Sequence, residues 1–245
     1  MKMRNKLILF AGMAMACACM PIPSIDDENT GAGGGKNPSL YPMAVYHFDG
    51  DASDASGSGY DGVLNGSPEF ISDTPDGSTG ALKLNAFKNQ FVNIPYDLFK
   101  GLDQYSFSAW VKDFSQGIIF SAEGGNGLPY LYVQDTQKFL LYNHRYTDYS
   151  LSSYTFAYDC TSIMSSAWHH LAVVSYGGDM SLYIDGQKRD TMKEQYDLST
   201  ATKVYIGGNA DGRYVNYMSM KIDNVMFFDY SLKDDEVKYI YQNKL

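Results

Sequence analysis

The chain has 245 residues, with 19 Lys and Arg against 28 Asp and Glu and a formal charge of −9. This acidic balance, with no local Lys/Arg cluster to offset it, argues against nucleic acid as a partner. Its 15% aromatic content, 21 Tyr and 23 Gly fit many short strands joined by turns.

The chain opens with Lys2, Arg4 and Lys6, then an apolar stretch from Leu7 and small residues ahead of two cysteines. This reads as a secretory signal over residues 1–16. Ala14-Met15-Ala16-Cys17 has the form of a lipoprotein cleavage box, which makes Cys17 the expected lipidated residue, with Cys19 as a second candidate. Cleavage there would take the charge from −9 to −12. Attachment to the outer membrane through acyl chains, facing the cell exterior, is the expected location. Residues 17–40 carry Pro, acidic residues and a Gly run, too little apolar area to fold, and read as a flexible tether. Asp26-Asp27-Glu28 within it suits either an acidic export tag or a plain spacer.

One folded unit is expected over 41–245. Strands are predicted near 80–85, 90–94, 105–112, 117–122, 129–134, 138–143, 168–176, 180–184, 187–191, 203–207 and 219–230, after an opening YPMAVYHF segment from Tyr41. Trp168 to Lys188 is the clearest of these stretches. Its first strand is apolar on both faces, with His170, Ala172 and Val174 on one side and Leu171 and Val173 on the other, as in a strand covered on both sides. Gly177-Gly178 makes a turn, Met180, Leu182 and Ile184 alternate with Ser181 and Tyr183, and Asp185-Gly186 suits a two-residue type I′ turn. A final helix is predicted with Ser231 as cap, Asp234 three residues on, and Leu232, Val237, Ile240 and Tyr241 facing a sheet. With Cys160 the only cysteine outside the N-terminus, stability must come from the core and not from a disulfide framework.

The Trp168–Lys188 run, VYIGG at Val204–Gly208 and KIDNVMFFDYSLKDDEVKYIY at Lys221–Tyr241 together resemble the laminin G-like, concanavalin A-like jelly-roll family. GALKLN, QFVNIP and YSFSAWVK precede them in the expected order. The resemblance implies an all-β, two-sheet antiparallel jelly-roll sandwich with a short C-terminal helix.

Three groups of residues are candidates for chemistry. The loop Phe48–Gly62 collects Asp49, Asp51, Asp54 and Asp61 among Gly and Ser, hard oxygen donors of the kind calcium takes. It is no EF-hand, because Asp54 stands where that loop needs Gly and Tyr60 where it needs Glu. The resemblance implies that DASGSGYDG lies beside Asp223 and that calcium is held by Asp54 and Asp223, with carbonyls near Gly57 and Gly59 and with Asp49 as a further ligand. Asn224 replaces a second acid there and lowers the ligand charge.

The second group is tyrosine-rich, from Tyr130 to Tyr158. A two- or four-residue β-hairpin loop would place Tyr130 and Tyr132 with Phe139, Leu141 and Asn143, and Tyr142 and His144 with Leu131 and Val133. Sugar rings stack their C–H faces on flat aromatics while Asn, Arg and Asp bond the hydroxyls, so Asn143, His144, Arg145, Tyr146, Asp148 and Tyr149 form the candidate ligand set. The third group, His169 and His170, points to opposite faces of its strand and is expected to pack rather than bind metal.

No two of the five Glu residues lie at the short spacing of a paired acid and base. A non-catalytic module is therefore expected, and the resemblance implies that it binds a glycan or glycosylated protein. A protein-contact module and a hydrolase with an unrecognised Asp pair are the alternatives.

Overall fold

A computed structural model of the chain describes residues 37–124, 129–133, 138–144, 151–164, 166–193, 198–208 and 217–245. Its strands, in chain order, are β1 (Ala44–Tyr46), β2 (Val63–Asn65), β3 (Glu69–Ile71), β4 (Ala81–Leu84), β5 (Phe91–Ile94), β6 (Tyr105–Lys112), β7 (Gly117–Gly124), β8 (Pro129–Val133), β9 (Lys138–His144), β10 (Leu151–Asp159), β11 (His169–Tyr176), β12 (Asp179–Ile184), β13 (Gln187–Lys193), β14 (Ala201–Ile206) and β15 (Met220–Phe228). One helix, α1 (Asp234–Asn243), follows.

The strands form two antiparallel sheets. One runs β13-β12-β11-β6-β15-β4-β3, with β1 also pairing β15; the other runs β10-β9-β8-β7-β14-β5-β2. Alternation builds the interior. Phe107 of β6 stacks on Phe120 of β7 at 4.3 Å between ring centroids, and Phe99 meets Phe227 of β15 edge-on at 5.6 Å, so aromatic rings bridge the sheets.

The first sheet is also covered outside, as β11 foretells. Leu171 and Val173 join the main core, while Ala172 and Val174 join a second cluster with Leu232, Val237 and Ile240 of the C-terminal segment. The turns agree with their residues: Gly177 and Gly178 have φ of 59° and 81°, and Asp185 and Gly186 have 50° and 70°, the paired positive values of a type I′ turn. His170 is fully buried with Nε2 at 2.8 Å from Ser108 Oγ, and His169 meets Asp185 at 2.9 Å. Burial holds His170 neutral, with its pKa down at about 4. Cys160 is buried and outside any disulfide, its thiol pushed up to about 12 by burial.

Three local expectations need correction. The helix begins at Asp234, where Lys233 N–H donates to Glu236 Oε2; Ser231 instead donates its hydroxyl to Ser175 O at 2.6 Å, tying the helix lead-in to β11. Leu151–Asp159 is a strand, β10, where no strand was expected. Val133 pairs Phe139, leaving an odd number of residues between them, so the β8–β9 hairpin has neither a two- nor a four-residue loop. That odd count inverts the expected facing of β9.

No helix among the described residues is long and apolar enough to cross a membrane.

Candidate functional site

In the second sheet, one ladder position crosses all seven strands: Val63, Asn93, Tyr205, Ser121, Tyr130, Tyr142 and Ser153 stand directly opposite one another in turn. Val92, Ile94, Val204, Ile206, Phe120, Ala122 and Leu131 flank this row and belong to the core, so the row lies on the outer face. Tyr132 shares that face, one position along from Tyr130. The corrected register therefore gathers positions 130, 132 and 142 on one face where the expected loop would have divided them.

The described side chains of this face form two linked groups. The Phe91 ring stacks on Tyr217 at 5.6 Å and meets Tyr205 edge-on at 5.8 Å. Tyr205 donates its hydroxyl to Glu123 Oε2 at 2.7 Å, and Lys203 Nζ lies 3.2 Å from the same oxygen. Tyr132 is half-buried, and its hydroxyl accepts from Gln116 Nε2 at 3.1 Å. Phe91 and Tyr205 are buried within these groups, while Tyr132 and Tyr217 are half-buried, so flat rings beside fixed polar groups are partly open at Tyr132 and Tyr217, the combination that binds sugar rings by C–H faces and hydroxyls together.

Of the expected ligand set, Asn143 and His144 lie on β9 on opposite faces, His144 at an outer position and Asn143 at an inner one opposite Pro129. Arg145, Tyr146, Asp148 and Tyr149 lie outside the described residues. Tyr205, Glu123, Lys203 and Phe91 were missed by sequence reasoning. The Tyr205–Glu123 pair is separated by 82 residues, and only the β14–β7 ladder joins it.

The Asp-rich loop is ordered by its own side chains. Asp54 accepts from Val45 N–H (2.9 Å), Ser56 N–H (2.9 Å), Ser56 Oγ (2.9 Å) and Tyr60 N–H (3.1 Å). Burial opposes its ionisation, but these donors outweigh burial and hold the carboxyl below the usual range. Gly57 and Gly59 take φ of 82° and 83°, turning the loop. Asp49 accepts from Thr79 Oγ1 and Gly80 N–H at 2.8 and 2.7 Å.

Asp223 is fully buried at an irregularity in β15. The register with β6 shifts between Asp223 and Met226, and Asn224 takes φ of 44°. Asp223 Oδ1 accepts from Asn224 N–H at 2.8 Å, while Oδ2 has no hydrogen-bond partner among the described residues. Burial pushes its carboxyl up to about 8, and the carboxylates of Asp76 and Asp49 add to the rise. The acids that act on Asp223 are thus Asp76 and Asp49, while Asp54 is engaged within its own loop. The orphaned oxygen and hard carboxylate donors fit calcium in kind. Among the described residues no three His, Cys, Asp or Glu side chains converge on one point, so backbone carbonyls and water would have to complete the shell.

Comparison with known proteins agrees with this architecture. A family profile described as the concanavalin A-like lectin/glucanases superfamily matches residues 86–238. The chain belongs to this superfamily. Among solved structures, this lectin/glucanase-type domain is similar to domain 4 of AbnA, a GH43 extracellular arabinanase from Geobacillus stearothermophilus, in complex with arabinotriose: 22% identity, TM-score 0.67, covering 82% of this chain and 98% of that one. It is similar to the binding domain of botulinum neurotoxin DC in complex with SialylT (14% identity, TM-score 0.65), covering 84% of this chain but 52% of that one. The binding domain of Paraclostridial mosquitocidal protein 1 gives 14% identity and a TM-score of 0.66, with 83% of this chain and 52% of that one covered. At these identities the likeness is one of fold. No curated protein sequence matches the chain.

Proposed function

We propose that this superfamily member is a non-catalytic glycan-binding module, with the outer face of the seven-stranded sheet as its ligand surface. The carrying observation is the odd β8–β9 connection, which puts positions 130, 132 and 142 on the face where the half-buried Tyr217 stacks on the buried Phe91. From β5 to β9 the row spans on the order of 20 Å at the usual strand spacing, room for several linked sugar rings. The arabinotriose and SialylT complexes of structural relatives support a carbohydrate ligand. Titration with oligosaccharides, followed by calorimetry on the wild type and on Tyr132→Ala, tests the reading. Weakening of at least about tenfold is expected for a lost stacking platform, and unchanged affinity would remove this face from consideration.

Calcium belongs to the same proposal as a structural ion at Asp223, with Asp49 as its neighbour and Asp54 shaping the loop beside it. It would supply the positive charge that a buried carboxylate otherwise lacks. Lipidation at Cys17, with outward display on a bacterial outer membrane, completes the reading and rests on the N-terminal cleavage box; metabolic labelling with radioactive palmitate that fails to enter the protein would refute it. A protein-contact role has one observation behind it: Phe87 is 97% exposed on a turn held by Asn85 and by the left-handed Asn89.

A further inference from the structure

A second concavity lies on the opposite side of the sandwich, outside the first sheet. Residues 38–42 cross that sheet as a strap, held by Met43 N–H donating to Phe227 O and Tyr41 N–H to the Tyr230 hydroxyl. Between the strap and α1 the structure leaves a cavity of about 570 Å³. This lies within the size range of small-molecule sites. Val45 and Met226 contribute apolar lining, and Tyr41 of the strap and Tyr239 of the helix add aromatic walls.

Its polar end is fixed around Asn224. The Asn224 amide nitrogen donates to Asp76 Oδ2 at 3.0 Å and to Lys244 O at 2.9 Å, which uses both amide hydrogens. Asn224 Oδ1 must therefore accept from His47 Nδ1, 2.7 Å away, so a neutral His47 carries its proton on Nδ1 and offers Nε2 as an acceptor. The pocket thus presents acceptors, the Asp76 carboxylate and His47 Nε2, and calls for a ligand rich in donors. Hydroxyls on a ring with apolar C–H faces meet both requirements. An ammonium ligand would meet the first but not the second, which the apolar and aromatic walls set. The negative Asp76, close to Asp223, disfavours acidic sugars.

We propose that this cavity is a second saccharide site, separate from the sheet face, that takes a single neutral sugar or the end of a neutral chain. It rests on the carbohydrate reading for its ligand class but not on the sheet face for its residues. The test is a titration of the ¹⁵N-labelled protein with millimolar glucose, galactose, mannose, arabinose and N-acetylglucosamine, reading the amides of His47, Asn224 and Leu245. At least one sugar should move these resonances saturably. Ala55→Trp, at an exposed loop residue lining the cavity, should abolish the shifts. Asp76→Asn, which keeps the shape, should weaken them about tenfold by removing a charged acceptor. Tyr132→Ala should leave them intact. Shifts confined to Tyr132, Glu123 and Lys203 would overturn the cavity site while leaving the sheet face standing, and shifts confined to the cavity would do the reverse. Persistence of the cavity shifts in Ala55→Trp, or no response to any of the five sugars, would also overturn it.

Discussion

At the scale of single residues, two aspartates expected to act together sit in different surroundings. Asp54 was legible as a loop acid beside glycines, but its four donors come from β1 and its own loop, contacts that only the folded loop creates. Asp54→Ala should orphan three backbone N–H groups and cost about 2 kcal/mol or more in urea unfolding, equally with calcium and with EDTA. Asp223 should behave differently. Its folded pKa near 8 exceeds the ordinary carboxyl value, so in EDTA the unfolded chain releases the proton first as pH rises. Its contribution to stability is full below about pH 4 and is lost progressively up to about pH 8. Asp223→Asn should flatten that window. Calcium added at pH 8 should raise the melting temperature of the wild type and not of Asp223→Asn; a wild type indifferent to calcium would remove the ion from the account. His170 acts in the opposite sense, because burial lowers its pKa to about 4: its contribution is full above about pH 6.5 and is lost as pH falls towards 4.

At the scale of elements, what could be read from sequence was what alternation alone decides. Trp168–Lys188 declares a two-faced strand and two tight turns, and β11, β12 and their type I′ turns follow. The β8–β9 facing was not legible, since one residue more or less in the loop inverts every side chain beyond it. The β15 irregularity was equally hidden: the additional residue at Asp223-Asn224 lets Ile222 and Val225 both belong to the main core, breaking the two-residue period. Three-residue strands such as β2 and β3 carry too short a pattern to announce themselves. The helix tests this level. Ile240→Ala, buried against the outside of the first sheet, should cost about 2–5 kcal/mol in denaturant unfolding and leave binding at the far sheet unchanged. Gly186→Ala should also destabilise, by about 1–3 kcal/mol, because φ is 70° and the added Cβ would sit 2.9 Å from the Tyr241 ring.

At the scale of the molecule, the two sheets divide the work. The first is covered outside by α1 and the strap, and its outer surface holds a second core and the cavity described above. The second has no helix among the described residues laid over its outer face, where the row carries tyrosines on β14, β8 and β9. This asymmetry supports the proposed ligand surface on the second sheet, which was only half legible: the tyrosines were visible in the chain, but their common face was not. A net charge of −9 further favours neutral glycans over acidic ones. The most direct measurement is a glycan array probed with the wild type, with the double variant Tyr130→Ala and Tyr132→Ala, and with Ile240→Ala as a control for folding. The wild type and Ile240→Ala should bind the same set of neutral glycans while the double variant loses it; a double variant that keeps the wild-type pattern at wild-type strength would contradict the assignment of this face.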